Sequence, residues 1–163
     1  MKKLFLVGAL ALFGAMNAQK GNFKLGAHVG FPTGDVAEAT NFVLGVDAAY
    51  MFPVATNFEL GVATGYSAFL GKKIEGYKVP TLSLIPVAAS AAYKLTPEFS
   101  IGADLGYGFL SWDGESDGGF YYQPKLTYTL QEKHGLTLGY QGVTKDGVTF
   151  SSVNLGYVYT FGK

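Results

Sequence analysis

Apolar residues recur at every second position along most of this chain. From Asn22 to Phe31, the residues Phe23, Leu25, Ala27, Val29 and Phe31 alternate with Lys24, Gly26, His28 and Gly30. A period of two is the signature of a β-strand with two unlike faces. The same alternation runs through Asn41–Phe52, Asn57–Leu70, Thr81–Leu95, Phe99–Trp112, Phe120–Leu130, Leu136–Thr144 and Ser152–Phe161. Eight strands are therefore predicted. Pro86 lacks the N–H a ladder needs, so a bulge or local break is expected there.

The connections divide into two kinds. Pro53–Thr56, Thr96–Glu98 and Gln131–His134 read as short turns, whereas Pro32–Thr40, Gly71–Pro80 and Asp113–Gly119 read as longer polar loops, with Lys145–Phe150 intermediate. Short and long connections alternate, which suits an up-and-down β-barrel with both ends on the short-turn side. All of this fits one domain, with no linker or second unit left over.

Alternation alone does not say which face meets solvent. A soluble lipocalin-like binding barrel turns its apolar face inward, and a membrane barrel turns it outward. The contents of the faces favour the membrane. All six charged residues within the strands, Lys24, Asp47, Glu59, Lys94, Asp104 and Lys125, share the face opposite the aromatics. One lysine on a lipid-facing wall would cost about 2–4 kcal/mol near the bilayer centre. Gly26, Gly45, Gly65, Gly102, Gly139 and Gly156 share the charged face too, as a crowded lumen requires. Aromatics near the strand ends, such as Phe31, Phe42, Phe52 and Phe109, resemble two interfacial girdles.

Composition narrows the class further. With 23 glycines, 13 phenylalanines and 11 tyrosines, the chain is built for short, closely packed strands. It has no cysteine, so neither a disulfide framework nor a thiolate metal site is available. It also has no arginine, which argues against nucleic-acid recognition. The first eighteen residues form a cleaved secretory signal on this reading: Lys2 and Lys3, an apolar run Leu4–Phe13, then small residues to Ala18. Twelve basic residues balance twelve acidic ones, so loss of Lys2 and Lys3 leaves residues 19–163 at a net charge of −2.

Taken together, the leader, the eight alternating strands and the terminal ladder Val153, Leu155, Tyr157, Tyr159, Phe161 resemble the small eight-stranded outer-membrane barrels, the group that includes outer-membrane proteins A and X and the opacity-type, porin-family proteins. The resemblance covers Gln19–Lys163. It implies an all-β, eight-stranded antiparallel up-and-down transmembrane barrel in the bacterial outer membrane, working as a monomer in outer-membrane lipid. It also implies that Tyr157, Tyr159 and Phe161 form the assembly signal read by the barrel assembly machinery, with periplasmic chaperones as partners in biogenesis. Gly162 and Lys163 follow here, where that family usually ends on the aromatic.

The lumen is the remaining place for chemistry. Counted from the short-turn ends, His28, Asp47, Asp104, Lys125 and Gln141 fall at one depth, and Lys24, Glu59 and Lys94 lie lower. Three lysines and three carboxylates sum to zero, so a plug of paired charges is expected, with Lys125 bridging Asp47 and Asp104. A charge-selective, porin-like channel for ions or solutes is the alternative, and would show an excess of one sign in its lining.

No enzyme, cofactor or metal is expected. His28 and His134 are the only histidines, and neither is placed to serve a nucleophile at the outer leaflet. Asp47 and Asp104 read as structural, because a sealed lumen admits no substrate. The run Asp113, Gly114, Glu115, Ser116, Asp117, Gly118 echoes a calcium loop, but Pro124 stands where a bidentate Glu is needed. The role left open is structural or surface-interacting: envelope stabilisation or adhesion.

Overall fold

A computed structural model describes residues 21–162, so the expected leader, residues 1–18, lies outside the described residues. Eight strands form a closed barrel: β1 (Asn22–Gly34), β2 (Thr40–Ala55), β3 (Phe58–Gly71), β6 (Leu82–Lys94), β7 (Phe99–Trp112), β8 (Glu115–Gln131), β9 (His134–Lys145) and β10 (Val148–Phe161). A separate two-stranded hairpin, β4 (Lys73–Ile74) and β5 (Tyr77–Lys78), rises from the connection between β3 and β6. Each barrel strand is antiparallel to its sequence neighbours, and the ring closes where β1 pairs with β10, from Phe23 opposite Phe161 to Gly34 opposite Phe150. Closure leaves no unpaired edge.

The strands run further than their alternation suggests, and this corrects the loop assignments. Asp113–Gly119 is not a polar loop. Asp113 and Gly114 adopt positive φ (47° and 83°), the two-residue turn that matches strand twist, and the ladder resumes at once with Glu115 opposite Trp112. Asp146 and Gly147 do the same (50° and 81°) between β9 and β10. Glu75 and Gly76 (49° and 88°) turn the β4–β5 hairpin inside the segment read as the loop 71–80. Polar residues beyond the bilayer can stay paired because a ladder needs only backbone groups.

Pro86 interrupts the β3–β6 ladder without shifting it. Partners pass from Thr64–Val87 to Ser67–Leu84 in unchanged register, so the expected break is present and the alternative, a bulge, is not. Thr64 Oγ1 donates instead to the Pro86 carbonyl at 2.7 Å. Register shifts occur elsewhere, between Thr40 and Phe42, Pro53 and Ala55, and Thr129 and Gln131.

The wall is inside-out relative to a soluble domain. Leu105 is 53% exposed, and Val29, Leu44, Val46, Val62, Val87, Leu138 and Leu155 are exposed with it. Rings cluster toward both ends of this wall. Phe23 with Phe161, Tyr50 with Phe52 and Phe99 with Tyr128 gather at the short-turn end. Phe31 with Phe42, Tyr107 with Phe109 and Phe120 with Tyr122 gather at the other. Such a surface is stable only against acyl chains, with girdles at the two headgroup levels. The soluble lipocalin-like reading fails on this face.

The buried apolar core lies inside the barrel, in its upper half. Val43, Phe69, Leu84, Leu110 and Val143 are all but inaccessible, with Leu82, Ala88, Tyr121 and Val36 packed on them. These residues alternate with the lipid-facing ones and so belong to the inward set.

Candidate functional site

Below that apolar layer the lumen is polar and open. A cavity of about 530 Å³ is lined by Lys24, Asp47, Glu59, Lys94, Asp104 and Lys125, together with Thr96, Glu98, Glu132 and Lys133 from the short turns. Its lining includes no residue of the connections at the opposite end, so the space is a blind cup.

Three clusters occupy the cup. Nearest the mouth, Glu59 receives Lys24 Nζ at 2.8 Å on one oxygen and Lys94 Nζ at 3.9 Å on the other. One layer deeper, Asp104 receives Lys125 Nζ on both oxygens at 2.8 and 2.7 Å, and Ser90 Oγ donates to it at 2.5 Å. Across the lumen, His28 Nδ1 lies 2.6 Å from Asp47 Oδ2. Ser67 Oγ stands 3.2 Å from His28 Nε2 and 3.4 Å from Gln141 Oε1. Lys125 therefore pairs with Asp104, and Asp47 is held by His28 instead of by the expected lysine bridge.

Glycine makes room for these groups. His28 lies directly opposite Gly45 on β2 and Gly156 on β10. Asp47 is flanked in the same way by Gly26 and Gly65, and Lys125 by Gly102 and Gly139. Side chains at the same level converge inside a narrow cylinder, so a large group needs neighbours without one. The glycines were visible on the lumen face of the sequence, but which group each accommodates depends on register.

The Asp47–His28–Ser67 array has the connectivity of a hydrolytic triad with its order in space reversed. Ser67 is buried beneath the apolar layer while Asp47 faces the cup, so no substrate carbonyl can reach the hydroxyl. Sequence reasoning missed Ser67, Ser90, Gln123 and Tyr121. These are lumen-facing hydroxyls and amides whose parity was legible but whose partners were not: Ser90 meets Asp104 across the β6–β7 pair, and Ser67 reaches His28 and Gln141 on strands that are not its neighbours. Tyr121 donates to Gln123 Oε1 at 2.8 Å.

At the far end, Lys145 donates to Asp117 above the aromatic girdle. That hydrogen bond, then one from the Gly118 amide, holds the Asp117 carboxyl below its usual range, and the same bond raises the Lys145 ammonium. At the short-turn end, Tyr157, Tyr159 and Phe161 point along the outer wall. Phe161 packs on Phe23 (5.7 Å between centroids) and on Tyr159 (4.7 Å), and Tyr157 hydrogen-bonds His134. No cluster of metal-ligating side chains occurs among the described residues.

Three solved barrels resemble this architecture. Ail, the attachment invasion locus protein of Yersinia pestis, superposes with a TM-score of 0.62 at 15% identity, over 88% of this chain and 99% of that one. Neisserial surface protein A does so with a TM-score of 0.57 at 18% identity, over 86% and 97%. The N-terminal β-barrel domain of Pseudomonas aeruginosa OprF gives 0.55 at 17% identity, over 87% and 100%. At such identities the likeness establishes the fold. No curated protein sequence matches this one closely enough to count as a relative. The model of the outer membrane protein beta-barrel domain matches residues 5–161. The chain belongs to the outer membrane protein beta-barrel domain family, and is a bacterial outer-membrane protein.

Proposed function

We propose that this protein is a closed outer-membrane barrel with a structural and surface-contact role, and not a solute channel or an enzyme. The observation that carries the reading is the apolar layer across the upper lumen, Val43, Phe69, Leu84, Leu110 and Val143, each at most 1% exposed. A hydrated ion does not cross a packed apolar layer, which excludes water as well as charge. The ion pairs beneath it line the open cup and tie its wall together: Lys24, Glu59, Lys94, Asp104 and Lys125, with His28, Asp47 and Gln141 linking the remaining strands.

The contact role falls to the end opposite the cup. Short turns of outer-membrane barrels face the periplasm, which puts β4–β5 outside the cell. Lys73 and Lys78 are directly opposed there, and Tyr77 is 83% exposed. Opposed like charges weaken a hairpin, so a binding role accounts for them better than a folding one. Ail has been solved in complex with the heparin analogue sucrose octasulfate, a contact of the kind these lysines suit.

Assembly follows the same logic. Tyr157, Tyr159 and Phe161 present an aromatic ladder to the barrel assembly machinery after delivery by periplasmic chaperones, and the product is a monomer because its wall is lipid-facing all round.

Planar-bilayer recording tests the closure. The native protein is expected to be silent, Leu110→Ser with Phe69→Ser to conduct, and Lys125→Met to stay silent. Steady conductance by the native barrel would overturn the reading.

A further inference from the structure

The cup holds two charges that its own ion pairs leave only half answered. Near the mouth, one carboxylate, Glu59, serves two ammoniums, Lys24 at 2.8 Å and Lys94 at 3.9 Å. One positive charge is in surplus, and the Lys94 side chain is 52% exposed to the cup. Deeper in, the only hydrogen-bonding partner of the Asp47 carboxylate among the described residues is His28. Ser67 Oγ donates to Gln141 Oε1 and lies 3.2 Å from His28 Nε2, while the Asp47 Oδ1 oxygen has no hydrogen-bonding partner among the described residues. The Asp47 side chain is 42% exposed to the same cavity, Lys125 is committed to both oxygens of Asp104, and Lys24 is committed to Glu59.

The half-answered ammonium and the half-paired carboxylate have opposite sign, and their backbone positions are offset along the barrel. Gly26 is opposite Asp47, and Lys24 is two residues nearer the mouth on the same strand, which is about 7 Å along the barrel at ~3.4 Å per residue. A simple cation would answer Asp47 alone and a simple anion the lysines alone. A free amino acid carries both charges but too close together. An extended peptide spans ~3.5 Å per residue, so two or three residues place an ammonium and a carboxylate at the required distance. The cavity, about 530 Å³, lies within the ~300–1,000 Å³ range of small-ligand sites.

We propose that the periplasm-facing cup binds short zwitterionic peptides of two or three residues. The peptide ammonium sits on Asp47 and the peptide carboxylate on Lys94 and Lys24, with Thr127 and Thr137 available to the peptide backbone. The apolar layer closes the inner end of the site, so the peptide is held and not passed across the membrane. This role is separate from the contacts proposed for the opposite end and does not depend on them.

The test uses the folded protein in phosphatidylcholine nanodiscs, titrated with trialanine and followed by backbone amide NMR. Saturable shifts are expected around Lys24, Asp47 and Lys94, with none at the β4–β5 hairpin. N-acetyl-trialanine amide, which has the same shape without the charges, is expected to produce no saturable shift. Asp47→Asn and Lys94→Gln should each weaken binding about ten-fold or more, and Lys78→Gln should leave it unchanged. Gel mobility before and after heating establishes that each variant is folded. If Asp47→Asn fails to fold, the more exposed Lys94→Gln and the blocked peptide carry the test. No saturable shift with trialanine, or equal binding of the blocked peptide, would overturn the proposal.

Discussion

His28 and Gly45 face each other across β1 and β2, and the imidazole fills the space where a Cβ on residue 45 would project. The Tyr66 carbonyl closes the same space at 2.6 Å, so backbone as well as side chain would have to move. Gly45→Ala is therefore expected to cost about 1–3 kcal/mol, the usual range for overpacking. On the other flank of His28, a Cβ at Gly156 would meet its nearest neighbours at 3.1 and 3.2 Å, and Gly156→Ala should cost less. Urea midpoints in lipid vesicles compare the two, and an equal or reversed order would contradict the packing described.

Leu105 tests the outer wall. It is exposed at mid-strand on the aromatic-bearing face, opposite Ala89 and Tyr122. Leu105→Lys should lower stability in vesicles by about 2–4 kcal/mol, the cost of an ammonium near the bilayer midplane. A substitution that left the urea midpoint unchanged would mean that Leu105 does not see acyl chains.

Asp104 and Lys125 test the lumen. Asp104 is buried, while Lys125 retains 21% side-chain exposure to the cup, so water tempers the pair. Lys125→Met leaves the carboxylate with Ser90 alone and should destabilise by about 2 kcal/mol, below the range for fully buried pairs. Adding Asp104→Asn should recover part of that loss, because the stranded charge disappears with it. A double variant no better than the single one would show that the lysine stem, not the charge, supplied the stability.

The pair Asp117 and Lys145 predicts a pH window. The Asp117 carboxyl is held below its usual 3.8, chiefly by the Lys145 hydrogen bond, so its contribution is complete above that value and lost as pH falls through the lower folded value. Lys145 is raised above 10.5 by the same bond, so its contribution is complete below 10.5 and lost as pH rises through the higher folded value. Asp117→Asn should therefore shift the unfolding midpoint by a constant amount across the neutral range, with the shift vanishing in strong acid. A shift that persisted in strong acid would assign the effect to something other than this ion pair.

Strand number, the assignment of faces and the class of the protein were legible in the amino-acid order, because a side-chain period of two survives whatever the neighbours are. Lys24, Asp47 and Leu105 sit on their faces by parity alone, and no partner strand is needed to place them. The two-residue turns were legible in principle from Asp113–Gly114 and Asp146–Gly147, but the polar residues around them read as loop, since polarity reports on solvent and not on ladder pairing. What only the closed barrel decided was who meets whom. Register across eight strands brought His28, not Lys125, to Asp47, set a glycine on each side of His28, Asp47 and Lys125, and gathered Val43, Phe69, Leu84, Leu110 and Val143 from five strands into one layer. Those relations depend on distances between residues far apart in the chain, fixed by ring closure, and no local pattern encodes them.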